Sequence, residues 1–149
     1  MAQTNALFSN PEEHPGYYLW QSSMRWHKVM NQELQKLSLT YTQYIILFTI
    51  NRLNETSSSS ITQVSIASVC CIDTMMVSKV LKTLVNKKLV SRKESPNDTR
   101  AKLVSLTSTG TSLLTQAMVS IELVDEQFFD ALGNFSDSFY NALELLSDQ

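Results

Sequence analysis

Two cysteines, two histidines, three glycines and three prolines in 149 residues leave this chain little material for several kinds of chemistry. Cys70 and Cys71 are neighbours, a spacing that neither builds a disulfide framework nor matches the separated pairs of a zinc site. They fit a reducing compartment. His14 has only the adjacent Glu12 and Glu13 beside it and His27 no carboxylate near it in sequence, so no metal centre, no cofactor and no enzymatic acid–base pair is expected. No apolar run reaches the roughly 20 residues that cross a bilayer. The opening Met-Ala-Gln-Thr-Asn lacks the basic-then-apolar order of a secretory signal. A cytoplasmic protein without a membrane partner is expected. Hydrophobic residues at 43% and charged residues at 17% are ordinary for a soluble chain that closes one core in one domain.

A net charge of −2 offers no general attraction for a polyanion. The charges, however, are not mixed. Lys79, Lys82, Lys87, Lys88, Arg92, Lys93, Arg100 and Lys102 stand against only Glu94 and Asp98 in that stretch. From Leu103 onward there is no Lys or Arg, while Glu122, Asp125, Glu126, Asp130, Asp137, Glu144 and Asp148 make the C-terminal part acidic. Solvated helix faces usually intersperse both signs, so such blocks point to one face built for a polyanion and another kept away from it.

Residues 1–15 hold two of the three prolines and no apolar period, which predicts an arm. From Tyr17 to Leu37, the residues Leu19, Trp26, Met30, Leu34 and Leu37 recur at helical spacing with Trp20 and Met24 beside them, the pattern of a long helix. Thr42 is expected to cap a second, all-round apolar helix through Tyr44, Ile45, Ile46, Leu47, Phe48 and Ile50; its β-branched content also suits a strand, but its length favours a helix. Serines 57–60 read as a flexible connection. Thr62 then caps a short helix from Gln63 to about Cys70, and Asp73 caps a longer one whose buried face is Val77, Val80, Leu81, Leu84 and Val85. Two helices joined by a three-residue turn, the second cationic outside, form a helix-turn-helix.

After Leu89 the period changes to two. Residues 90–94 and 102–106 alternate around the turn chemistry of Ser95-Pro96-Asn97-Asp98, which predicts a basic β-hairpin. Thr107 caps a last long helix in which Leu114, Ala117, Ile121, Val124, Phe128 and Ala131 step by three and four, a coiled-coil-like seam that wants a partner helix. Phe135, Phe139, Leu143 and Leu146 mark one more short helix after Gly133-Asn134. The expected fold is mainly α with a small β-hairpin wing, a winged helix-turn-helix.

This order of elements resembles the multiple-antibiotic-resistance-regulator (MarR) family. Asp98-Thr99-Arg100-Ala101-Lys102 followed by Leu106-Thr107-Ser108-Thr109-Gly110 is similar to that family's wing signature, an Asp-x-Arg and then a Leu-Thr-x-x-Gly. Val77 to Leu84 and Lys87-Lys88-Leu89-Val90 agree at the family's spacing, so the resemblance covers about Gln63 to Gly110. The chain departs from the pattern where Cys71 and Lys88 take positions usually held by glycine, and a side chain there is strained if φ is positive. Met75 and Met76 replace small hydroxyl residues early in the recognition helix, which makes the preferred base sequence unusual. The resemblance implies a single domain with an arm over 1–15, a winged DNA-binding region over 41–106, and dimerisation helices over 16–40 and 107–149. It also implies a transcriptional regulator, most simply a repressor.

Double-stranded DNA is thus the expected partner, with a second copy of the chain, because one winged module reads only half of a palindrome. Candidate contacts are Gln63, Thr74, Met75, Met76, Ser78 and Lys79 at or near base edges, and Lys82, Arg92, Lys93 and Lys102 on phosphates. Asn97, Thr99 and Arg100 lie at the wing tip, Arg100 being placed to enter a narrowed minor groove. The resemblance assigns Asp98 as a brace for the wing. Leu19, Leu114, Ile121, Val124, Phe128, Phe135 and Phe139 are the dimerisation candidates, with packing of the Leu114 to Ala131 seam inside the same chain as the alternative. Trp20, Met24, His27, Tyr44 and Phe48, with Arg25 or His27 facing a carboxylate, are the candidate lining for a small aromatic or phenolic effector; core packing explains the same aromatics. Two alternatives stand beside this: oxidation of Cys70 or Cys71 as a redox switch, and a winged module that binds protein instead of DNA.

Overall fold

Among the described residues, 10–57, 59–94 and 102–147, the computed structural model holds six α-helices and one antiparallel hairpin. A short 3-10 turn, Pro11–Glu13, leads into α1, Pro15–Gln35. Pro15 occupies the first helical turn, where its missing N–H is not needed. The expected arm is therefore shorter than 1–15, and residues 1–9 lie outside the described residues.

Helix α2 spans Tyr41–Thr56 and is capped by Thr40, not Thr42. Thr40 has extended backbone angles; its hydroxyl accepts from Gln43 N at 3.2 Å, and the Gln43 side chain accepts from Thr40 N at 3.3 Å. This reciprocal box satisfies two N–H groups that a cap at Thr42 would leave open. Leu39 before the cap and Tyr44 in the first turn are both buried, which fixes the entry of the chain.

Helix α3, Gln63–Cys70, and helix α4, Thr74–Asn86, are bent by 115° to each other. Thr62 caps the first with Ser65 completing the box. Asp73 Oδ1 caps the second by accepting from Met75 N at 2.9 Å and Met76 N at 3.1 Å. Strands β1, Val90–Glu94, and β2, Lys102–Leu106, pair antiparallel with Arg92 opposite Val104. Ile61 extends this sheet: its carbonyl accepts from Val104 N at 2.9 Å, and Thr62 bridges Leu103. That third segment, just after the serine connection, holds the hairpin against the start of α3.

Helix α5, Ser108–Phe129, starts at the Thr107 cap. A 3-10 stretch, Asp130–Phe135, breaks at Gly133 (φ 51°) and leads to α6, Ser136–Ser147. One core joins Met30 and Leu34 of α1, Ile46, Leu47 and Ile50 of α2, Ile66 of α3, Val77, Leu81 and Leu84 of α4, and Leu114, Ala117 and Ile121 of α5. The seam on α5 is thereby corrected. Leu114 and Ile121, expected from the sequence to meet a partner chain, are 2% and 8% exposed within this one, because α5 packs against α1 and α2 of the same chain and both residues join its core. No single described helix is long and apolar enough to cross a membrane.

The scarcity of glycine has a local cost. Ser38, Cys71 and Lys88 all have φ between 53° and 61°, the left-handed region in which a Cβ costs about 1 kcal/mol or more. At Lys88 this follows from the end of α4, where Lys88 N donates to Val85 O and Leu89 N to Leu84 O, a closure that glycine normally makes. Lys88→Gly is expected to stabilise the fold by about 1 kcal/mol, read as a higher urea midpoint; an unchanged or lower midpoint contradicts the strain.

Candidate nucleic-acid interface

Burial of Val77, Leu81 and Leu84 turns the opposite side of α4 outward. Thr74, Met75, Met76, Lys79 and Lys82 are exposed and Ser78 is half-buried. Gln63, the first residue of α3, sits behind this surface. Its Nε2 donates to Thr74 O at 3.3 Å, and its Oε1 accepts from Arg92 Nη2 at 3.1 Å. One side chain thus ties the wing strand to the start of the recognition helix. Gln63, Thr74, Met75, Ser78, Lys79, Lys82 and Arg92 together line one open cleft of about 480 Å³. All seven are residues that the sequence reading assigned to DNA.

The Arg92 Nε is buried without a hydrogen-bond partner among the described residues. A buried guanidinium N–H left unpaired is costly, and an acceptor placed in the cleft relieves that cost. Among the described residues none of Lys79, Lys82 and Lys102 is paired with a carboxylate; the ion pair present is Lys36 with Glu33. Lys102, the first residue of β2, is exposed at the turn end of the hairpin opposite Glu94. Asn97, Asp98, Thr99 and Arg100 lie outside the described residues.

The basic block is not one surface. Lys93 alternates to the other face of the hairpin, where it lines a separate groove with Asn54, Ser57, Ser59 and Ser60. Lys87 points to the α1–α2 turn, its Nζ donating to Ser38 O at 2.5 Å and Gln43 Oε1 at 3.2 Å. It closes a turn that holds a strained residue. Neither role has a local signal in sequence: the Lys87 partners are more than 40 residues away, and the groove residues beside Lys93 come from the end of α2 and the segment after it.

The candidate effector residues are only partly brought together. Rings form a row, His27 to Tyr41 at 5.4 Å, Tyr41 to Tyr44 at 5.8 Å and Tyr44 to Phe48 at 6.2 Å. Trp20 and Met24 stand apart from it, 62% and 47% exposed on α1, and Arg25 is exposed too. Trp26, missed by that assignment, meets Tyr41 edge to face at 4.8 Å and donates from Nε1 to Asp125 Oδ1 at 2.7 Å, fixing α1 to α5. Burial, helped by Tyr44 and Asp125, pushes the Tyr41 phenol up to about 12. Burial and then Asp125 and Glu122 push Tyr44 up as well. The charge beside the aromatic row is negative, which opposes an anion there.

Cys70 is half-buried and within 3.1 Å of Thr49 Oγ1. Burial pushes its thiol up, against the smaller opposing effect of that hydrogen bond. A thiol held protonated is a poor redox sensor. Cys71 is exposed and free at the left-handed turn.

A 115° helix pair with a cationic second helix, braced by a hairpin, defines a winged helix-turn-helix protein. The chain belongs to the MarR family, whose model matches residues 39–102. It is 32% identical over 145 residues to the uncharacterized HTH-type transcriptional regulator YdcH of Bacillus subtilis (strain 168), covering 97% of this chain and 98% of that protein. Its fold is that of Bordetella bronchiseptica BpsR, whose DNA binding is regulated by 6-hydroxynicotinic acid, at a TM-score of 0.83 with 22% identity over 95% of this chain and 99% of that one. It is also that of S. aureus MepR in complex with DNA, at a TM-score of 0.76 with 23% identity over 91% and 98% of the two chains. This membership makes the chain a transcriptional regulator and not an enzyme.

Proposed function

We propose that two copies of this chain bind a palindromic DNA operator in the cytoplasm and repress transcription from it. Each copy inserts the N-terminal turns of α4 into the major groove, and Lys79, Lys82 and Lys102 neutralise phosphates along its flanks. The wing tip follows the backbone, with Arg100 in the minor groove, Asp98 bracing it, and Asn97 and Thr99 alongside. The observation that carries this reading is the Arg92–Gln63–Thr74 link, which holds wing and recognition helix as one unit around an electropositive cleft.

Pairing of two copies rests on apolar surface left uncovered at both ends of the chain. Leu19 and Trp20 on α1, Val119 and Leu123 on α5, and Phe135, Phe139, Leu145 and Leu146 beyond are exposed. Val124 and Phe128 are half-buried beside them. Such a set exceeds the scattered apolar residues of an ordinary monomer surface. Helices 16–40 and 107–149 then act as the dimerisation region around the reading region 41–106. Release by a small aromatic or phenolic effector is the accompanying regulation, supported by what is known of BpsR; the acidic side chains near Tyr41 favour its neutral form.

Selection of bound duplexes from a random pool tests these claims together. The expected result is an inverted repeat with half-sites about one helical turn apart, bound by a species of twice the monomer mass in light scattering. Recovery of no enriched sequence, or of a single unrepeated half-site bound by a monomer, overturns the proposal.

A further inference from the structure

Helix α4 enters its target with an unusual first turn. Thr74, Met75 and Met76 offer no guanidinium or amide there, so no bidentate contact to guanine or adenine can come from this turn. Met75 is 81% exposed and Met76 48% exposed. Burial of Val77, Leu81 and Leu84 fixes this outward orientation. Met75 is in line with Lys79 and Lys82, which follow at i+4 and i+7 on the same face. The Asp73 carboxylate beside them is engaged as the helix cap through Oδ1. What the two methionines present is therefore apolar and flexible, with Lys79 and Lys82 following on the same side of the helix.

From this we infer that Met75, with Met76 next to it, reads the 5-methyl group of thymine, making methyl contact the specificity determinant of the first turn. The C5-methyl is the apolar feature of the major groove, and it distinguishes A·T from T·A as well as from G·C. A thioether adapts to it without a fixed rotamer. Lys79 and Lys82 explain why a duplex, and not an apolar protein surface, covers these methionines: the same stripe that carries Met75 carries the charges that match phosphates. The inference rests on the DNA-binding reading above and adds the base that the helix prefers.

The experiment uses the duplex recovered by random-pool selection and replaces thymine by deoxyuridine one position at a time. This removes a methyl group and leaves every Watson–Crick and groove hydrogen bond in place. At one or two symmetric positions of each half-site, loss of the methyl is expected to weaken binding about threefold to tenfold. Met75→Ala, at an exposed helical position, is expected to bind the thymine and deoxyuridine duplexes equally at the position Met75 reads, and Met75→Gln to do the same with the side-chain length kept. Tight binding of the parent duplex with no sensitivity to deoxyuridine anywhere overturns the inference while leaving DNA binding intact. So does sensitivity that persists undiminished in both Met75 variants and in Met76→Ala. Failure of the parent duplex to bind removes the DNA reading and this inference with it.

Discussion

Gly110→Ala is expected to lower the stability of the fold by about 3 kcal/mol or more, although it adds a single methyl group to a residue near the start of α5. A Cβ at Gly110 stands 2.0 Å from Leu89 O, 2.9 Å from Leu89 C and 3.2 Å from Leu89 Cα. All three are backbone atoms, so no rotamer change relieves the contact. The surrounding bonds show why the approach is so close. Thr107 N donates to Leu89 O at 3.1 Å and its hydroxyl donates to Lys88 O at 2.7 Å, while that hydroxyl accepts from Gly110 N at 3.0 Å. The Leu-Thr-x-x-Gly signature is thus a helix cap clamped onto Lys88 and Leu89, the two residues just before β1. Forcing α5 away shifts Leu89 and Val90, both buried, and with them the wing. Urea unfolding should show a lower midpoint with an unchanged slope, and DNA affinity should fall in proportion to the displaced wing. A midpoint equal to that of the parent protein contradicts this geometry.

Arg92→Ala is expected to weaken operator binding about tenfold to a hundredfold, as loss of a charge-assisted hydrogen bond at a desolvated contact does. Two effects combine. The cleft loses a cation whose buried Nε–H has no partner among the described residues, and Gln63 loses the bond that holds it between β1 and α4. Because the same link is cut, Gln63→Ala and the double variant Gln63→Ala/Arg92→Ala should not add; a double-mutant cycle with a coupling energy above about 0.5 kcal/mol is expected. Fluorescence anisotropy against one duplex measures all four proteins. Strict additivity, or an Arg92→Ala variant that binds like the parent, means that the link does not organise the reading surface.

The parts of this fold legible in the sequence are those decided within a few residues. Thr62, Asp73 and Thr107 cap their helices as expected because each hydroxyl or carboxylate reaches an N–H two or three residues on. The misplacement of the α2 cap had a local signal too: Thr40 is followed at the third position by Gln43, which completes a box, whereas Thr42 is followed by Ile45. The strain expected at Cys71 and Lys88 is present, since the helix ends there demand a left-handed residue whatever its side chain. Covering partners were not legible. A step of three and four on α5 states that one face is buried but not by which helix, and Leu114 and Ile121 are buried in the core of the same chain, where α5 meets α1 and α2. The site divides in the same way: the outward stripe of α4 follows from its period, while the Arg92–Gln63 bond spans 29 residues and depends on how the hairpin folds back. Lys93 and Lys87 belonged to the basic block by count, and tertiary placement sends them elsewhere.

Everything above depends on α4 and the wing forming an electropositive reading surface, and titration of a double-stranded oligonucleotide across a salt series addresses this most directly. The predicted result is tight binding at low ionic strength with log affinity falling linearly against log salt, the slope reflecting several neutralised phosphates and becoming shallower by about one unit when Lys79 or Lys82 is replaced by alanine. No measurable affinity for any duplex at low salt, or binding that salt does not weaken, contradicts the account.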